Sequence, residues 1–296
     1  MSLKTWFIAT RPWSLGMTFI STCLAGILSY AKGSFDPTSF LLVMLGLMIA
    51  HTAANMTNDY YDVKHGVDEN APTAKYRPHP LLNKEVSKSS FKIVIIILYL
   101  IGISISIFFT LFKGFPVLIF TALGVLLGIF YTADPVMLKY RSIGELCVFL
   151  AFGPLMVGGA YYVLTGIIAL EPMIISVPIG LLVALVLLAN NLRDREFDAR
   201  LGIKTITTNK NMKEGLIYYE ILMIASYFAV PVLIFTGLLS IFSLLVVLTI
   251  PEAIIIIEKF NLNIPLNSDQ ITSQLALHFG ILYIISELIN TLIHTI

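Results

Sequence analysis

The chain has 296 residues, of which 57% are hydrophobic and only 12% charged, with a formal net charge of +1 and a mean hydropathy of +0.87. A soluble domain carries about 25% charged residues, so this composition excludes one and points to a polytopic membrane protein. The near-zero net charge also excludes a nucleic-acid-binding surface read from overall basicity.

Spanning roughly 30 Å of hydrocarbon takes about 20 mostly apolar residues in a helix. Nine apolar runs approach that length, at about 14–31, 38–56, 91–112, 115–132, 143–165, 173–191, 216–236, 239–257 and 272–293. They are continuous and too long for the alternating ten-residue segments of a β-barrel. The expected fold class is therefore all-α and polytopic. The first run follows Lys4 and Arg11 without a small-residue cleavage site, so it reads as a retained helix and not a removed signal peptide.

With nine spans the loops alternate sides, and the basic residues then separate sharply. Seventeen fall on one side, from Lys4 and Arg11 through the 2–3, 4–5, 6–7 and 8–9 loops to Lys259; only Lys32 and Lys113 fall on the other. The positive-inside rule predicts a cytoplasmic N-terminus, cytoplasmic even-to-odd loops and an external C-terminus. Cys23 and Cys147 both lie in apolar runs with no partner at metal-ligand spacing, and read as packed side chains. No stretch reads as a linker or a second domain, which leaves one membrane-embedded domain over 1–296.

The second run ends in "HTAANMTNDYYDVKHGVDEN", residues 51–70, and the sixth in "ANNLRDREFDARLG". At an offset of 136 residues, Asn55, Asn58, Asp62 and Gly66 fall on Asn191, Asp194, Asp198 and Gly202, and Ala53 falls on Ala189. Both copies end an even-numbered span, which suggests a parallel internal repeat with halves of roughly 1–140 and 141–296. Positions i, i+3 and i+7 share a helix face, so each copy presents one polar stripe. The glycine four residues later suits a left-handed exit from the helix.

Carboxylates crowded together repel unless a cation sits among them, and oxygen donors without His or Cys select Mg2+ or Ca2+. Mg2+ keeps places for water and substrate phosphate, so paired stripes at a membrane surface suggest a metal-bridged diphosphate. Arg77, Lys139, Arg141, Arg193 and Lys204 lie in the same loops and could neutralise its charge; the alternative for each is a basic residue at the bilayer interface. Asp59 lies off the stripe by helical geometry. His51 and Cys147 read as packing, and Asp134 before Pro135 as a turn.

These motifs, "NMTNDYYDVKHGVD" and "NNLRDREFDARLGIKT", resemble those of the UbiA-type intramembrane prenyltransferases over essentially the whole chain. Within that family "NDYYDVKHGVD", "NNLRDREFDARLGIKT" and "YTADPVMLKYRSIGE" are most similar to the menaquinone branch, the 1,4-dihydroxy-2-naphthoate polyprenyltransferases and their vertebrate relatives. Asp68 stands two residues beyond the third aspartate of other branches, a place taken here by Gly66. "RPW" at Arg11–Trp13 is similar to an Arg-Pro opening common in the family, and "RPHPLLNKEVS" to an element of other branches.

The resemblance implies nine helices around a central cavity and Mg2+-dependent transfer of a polyprenyl group from its diphosphate to an aromatic acceptor. It implies two Mg2+ ions held by Asn58, Asp62, Asp68, Asp194 and Asp198. Asp62, Asp194, Asp198, Tyr131 and Lys139 would be catalytic, with Arg77, Lys139, Arg141, Arg193 and Lys204 on the diphosphate. Asn55, Asn58, Tyr61 and Asn191 would contact substrate. Tyr60, Tyr61, Tyr131 and Phe197 could shield an allylic cation by their ring faces. Other acceptors, namely geranylgeranylglyceryl phosphate, 4-hydroxybenzoate or haem, keep the same chemistry. A secondary transporter is the alternative of another class, but its ionisable groups belong near mid-membrane, whereas these acids sit at span ends.

Overall fold

A computed structural model describes residues 2–69, 71–72 and 78–295, and it contains no strand among them. Eight helices are long and apolar enough to cross a membrane: α1 (Pro12–Ala31), α2 (Pro37–Lys64), α3 (Lys88–Lys113), α5 (Gly144–Thr165), α6 (Val177–Arg200), α7 (Met212–Phe235), α8 (Ile241–Leu262) and α9 (Ser268–Ile293). Between α3 and α5 lies α4 (Pro116–Phe130), whose 15 residues advance only about 22 Å. The run at 115–132 thus forms a helix, but one shorter than a full span.

Local signals set the helix starts. Asp36 caps α2 by accepting from the Ser39 N–H at 2.7 Å, with Pro37 in the first turn where its missing N–H costs nothing. Ser87 caps α3 in the same way at 3.1 Å. Asn211 and Glu214 form a reciprocal capping box on α7. Helix α5 holds a π-helical stretch, Ala151–Leu155, around Pro154, and Ser21 of α1 donates to the Phe152 carbonyl within it at 2.7 Å.

Helix α6 is the most buried of the eight and packs against α5, α7 and α9. It reaches α5 closely because glycines meet there: a Cβ on Gly153 would stand 3.2 Å from the Gly180 Cα. Leu41, Ile93, Leu100, Phe112 and Phe228 face outward, as a bundle solvated by lipid requires. Helices α2 and α6 run on past their apolar stretches, to Lys64 and Arg200, so both polar stripes are helical throughout.

A small second core lies at the end of the bundle that carries the motifs. Ala9, Met56, Leu81, Val86, Phe91 and Ile95 are buried there together, with Trp6 and Tyr60 packed against them. It fastens a short N-terminal helix, Leu3–Ala9, and the segment after residue 78 onto the ends of α2 and α3.

Candidate active site

The likeness between the two motifs extends to the backbone. After α2 the Val67 N–H bonds the Asp62 carbonyl at 2.8 Å and the Gly66 N–H bonds Val63 at 3.4 Å; after α6, Ile203 bonds Asp198 at 2.9 Å and Gly202 bonds Ala199 at 3.2 Å. Gly66 and Gly202 sit at φ +73° and +72°, the left-handed exit that only glycine adopts freely. Each copy therefore ends in the same Schellman turn, with its last aspartate at the same place in the turn.

The two stripes face one cavity of about 700 Å³ lined by α1 to α6 and α9. Asn55, Asn58, Asp62, Asp68, Asn191, Asp194 and Asp198 line it at the motif end, with Lys139 and Tyr131. Towards the opposite end the lining turns apolar, through Leu47, Ile103, Val125 and Met156 to Val43, Phe109 and Val117. The site thus has a charged head and a long hydrocarbon-like arm.

Lys139 stands between the copies. The connection from α4 to α5 folds back so that the Lys139 N–H bonds the Tyr131 carbonyl at 2.8 Å. Its ammonium donates to Asp62 at 2.6 Å and to Asn58 at 3.3 Å. Burial alone would lower its pKa, but the charge and hydrogen bond of Asp62, with the fields of Asp68 and Asp198, outweigh that and raise it. Lys139 is a fixed cation. The Tyr140 hydroxyl donates to the other Asp62 oxygen; burial and that neighbouring carboxylate push its phenol well above the ordinary range.

Asp194 is braced from behind. The Arg193 guanidinium forks onto both its oxygens, at 2.8 and 2.7 Å, and also holds Asp269 at 2.7 Å and Asn190. Asn191 donates to the buried Glu145 at 2.8 Å, and Asn55 to Ser14 at 2.9 Å. The Asp198 carboxylate takes no hydrogen bond or ion pair from the described residues, and it lines the cavity.

Asp59 faces away from the stripe, as its helical position requires, and pairs with Arg11. His79 bridges it to Asp68, at 3.3 Å and 2.9 Å. Burial would lower the His79 pKa, but hydrogen bonds to the two aspartates and their charge raise it to about 9. Asp59, Asp68 and His79 lie close enough to share a metal ion, yet the Arg11 guanidinium already occupies Asp59. The ion pairs there hold the segment after residue 78 against α2.

The structure thus places nine of the residues singled out in the sequence on the cavity: Asn55, Asn58, Asp62, Asp68, Tyr131, Lys139, Asn191, Asp194 and Asp198. Phe197 joins them. Tyr61 does not line it; its ring packs on Tyr60 and His65 under the Lys64 ammonium. Arg193 stands behind Asp194, its side chain only 2% exposed. Arg141 turns to the Pro135 carbonyl, and Lys204, paired with it through the backbone, is exposed outside the cavity. Arg77 lies outside the described residues. Arg11, Tyr140, His79 and Asp269 were not singled out as site residues; each reaches the site from another segment, and no spacing within one helix signals it.

Comparison with known proteins agrees with this geometry. The model of the UbiA prenyltransferase family matches residues 19–265, and the chain belongs to that family: it is an integral membrane prenyltransferase. UbiA prenyltransferase domain-containing protein 1 of Mus musculus is 29% identical over 286 residues, covering 95% of this chain and 82% of its own. The 1,4-dihydroxy-2-naphthoate octaprenyltransferase of Bacillus subtilis (strain 168) is 27% identical over 291 residues, covering 95% and 91%. The fold is that of a UbiA homolog from Archaeoglobus fulgidus solved with GPP and Mg2+, with a TM-score of 0.64, 17% identity, and coverage of 95% of this chain and 99% of that one.

Proposed function

We propose that this enzyme transfers a polyprenyl group from polyprenyl diphosphate to 1,4-dihydroxy-2-naphthoate, with the motif end of the bundle in the cytoplasm. The observation that carries the reading is the shape of the cavity: two acidic stripes at one end and an apolar arm at the other match a lipid with an anionic head. The likeness to the Bacillus naphthoate octaprenyltransferase over 95% of the chain favours the acceptor, and the clustering of basic residues favours the orientation.

Asn58, Asp62, Asp68, Asp194 and Asp198 offer only hard oxygen atoms to the cavity, with no sulfur or imidazole among them, a donor set that fits Mg2+ and leaves places for phosphate oxygens. These residues would hold two ions. Bound there, Mg2+ supplies charge that offsets the diphosphate and stabilises it as a leaving group.

The chain's own residues do the rest. Lys139, fixed as a cation beside Asp62, donates to the departing diphosphate where negative charge develops. Arg193 keeps both Asp194 oxygens in register. Tyr131 and Phe197 present ring faces to the allylic carbon as its C–O bond ionises. The apolar lining beyond the motif end offers water no hydrogen-bond partners beside that cation, which water would otherwise quench. The electron-rich naphthoate ring attacks C1 of the prenyl chain, and its carboxylate leaves as carbon dioxide when the ring regains aromaticity.

The test is turnover of purified enzyme with Mg2+, labelled geranylgeranyl diphosphate and a panel of 1,4-dihydroxy-2-naphthoate, 4-hydroxybenzoate and geranylgeranylglyceryl phosphate. Prenylated naphthoquinol with release of carbon dioxide is the expected result. Product with another acceptor alone would overturn the acceptor and leave the site; no product with any would overturn the reading.

A further inference from the structure

The apolar arm has a built end. Asp62 and Val43 both line the cavity from α2, and at 1.5 Å per residue they stand about 28 Å apart. At the Val43 end Val43, Phe109, Val117 and Val163 line it and are each only 4–7% exposed, so little free space lies beside them.

The floor is held in place by a clamp between three helices. Phe120 of α4 stacks on Tyr162 of α5 with ring centroids 6.4 Å apart. The Tyr162 hydroxyl donates to the Lys113 carbonyl at the turn joining α3 to α4, and the Lys113 ammonium donates back to the Leu164 carbonyl at 3.2 Å. Phe120 lies so close to α5 that a Cβ on Gly159 would stand 3.2 Å from its ring, so the glycine is what admits the ring. Beside it Ser106 and Thr121 hydrogen-bond each other at 2.6 Å, which satisfies both hydroxyls and leaves the wall apolar to a passing chain.

We infer that Phe120, seated on Tyr162 and Gly159, is the stop that sets the length of prenyl chain the enzyme takes most efficiently. This rests on the donor reading given above. An extended covalent chain advances roughly 1.2 Å per bond, so each isoprene repeat of four bonds takes roughly 4.5 Å. Once the diphosphate has filled the polar end, an arm of about 28 Å holds about five repeats. A longer chain must fold back or displace the floor.

Gly124 gives the opposite handle: it lines the arm on α4, and a Cβ there would meet nothing within 4 Å. Gly124→Leu therefore puts a side chain into the arm short of the floor without colliding with a neighbour.

The experiment compares kcat/KM for geranyl, geranylgeranyl and octaprenyl diphosphates, with Mg2+ and the acceptor, in the wild type, Phe120→Ala, Phe120→Leu and Gly124→Leu. The wild type should prefer the geranylgeranyl over the octaprenyl donor. Phe120→Ala should raise the octaprenyl to geranylgeranyl ratio about tenfold, and Phe120→Leu by less in the same direction; Gly124→Leu should lower the geranylgeranyl to geranyl ratio about tenfold. Turnover of geranyl diphosphate by each preparation reports that it is folded. Ratios unmoved in variants that still use the geranyl donor would overturn the inference alone, because the chain would then leave the arm before its floor. No turnover of any donor by the wild type would overturn the proposed function and the inference with it.

Discussion

The two copies of the motif share a helix, a polar stripe and a turn, yet they differ at the positions between. At the offset of 136 residues Asp59 corresponds to Arg195 and Asp68 to Lys204. In the first copy the two acids engage Arg11 and His79 and hold the segment after residue 78. In the second, Arg195 donates to the carbonyls of Thr207 and Lys210, at 3.2 and 2.7 Å, and so ties down its own loop. The shared residues, Asn55 with Asn191, Asn58 with Asp194 and Asp62 with Asp198, all line the cavity. What the two copies share is a stripe turned to the cavity; what differs is the means of holding each loop, with Asp68 alone of the diverged pairs also reaching the cavity.

The sharpest way to break that comparison is to remove a shared acid. Asp62→Ala and Asp194→Ala should each reduce Mg2+-dependent kcat/KM roughly 100- to 1000-fold in folded protein, measured at saturating Mg2+. Equal loss from both copies would support one site built twice. Intact turnover in either variant would dissolve the pairing.

Next come the residues that act through an acid. Arg193→Lys keeps the charge but cannot fork onto both oxygens of Asp194, so the Mg2+ concentration for half-maximal rate should rise roughly 10- to 100-fold. A titration of activity against Mg2+ distinguishes this from a lost fold, because excess ion should restore the rate. Arg11→Gln and Arg195→Gln then separate the diverged positions. The first removes the guanidinium from Asp59 and loosens the His79 and Asp68 contacts beside it, and should raise the Mg2+ requirement about tenfold. The second loses two hydrogen bonds to carbonyls and should lower stability by about 1–3 kcal/mol while the rate per folded molecule stays unchanged.

Much of this was legible in the sequence, for reasons that particular residues make plain. The stripes were readable because Asn55, Asn58 and Asp62 lie on one helix at helical spacing, and a spacing within one helix is a geometric fact wherever the helix goes. Lys139 was readable only as one basic residue among several in the motif-side loops, and Tyr131 by resemblance; nothing in their local spacing shows that the connection folds back through the bond from Lys139 to Tyr131. Arg193 and Arg141 show the limit. Both are basic residues in the right loops, but direction is set by tertiary partners: Asp194 and Asp269 draw Arg193 behind the site, and Pro135 draws Arg141 away. Arg11 and His79 act across elements, and Phe120 owes its place to a glycine thirty-nine residues later. The shortness of α4 was also hidden, because the uncharged run continues through Tyr131 and Thr132 after the helix has ended.

The smallest effect tests the closest correspondence between the copies. Gly66 and Gly202 hold the same left-handed angle with open space around the missing Cβ, so an alanine at either site meets only the backbone penalty of that conformation, about 1–2 kcal/mol. Gly66→Ala and Gly202→Ala should therefore lower stability by the same small amount, read as matching shifts in the thermal unfolding of the solubilised enzyme. Their effects on activity should part. Val67, which follows Gly66, lines the cavity beside Asp68, whereas Ile203, which follows Gly202, is buried away from it. A strained first turn thus moves a cavity wall and a ligand together, while a strained second turn is absorbed by packing. The rate at limiting Mg2+ should fall more for Gly66→Ala, and equal falls would mean that the two turns position their aspartates and nothing else.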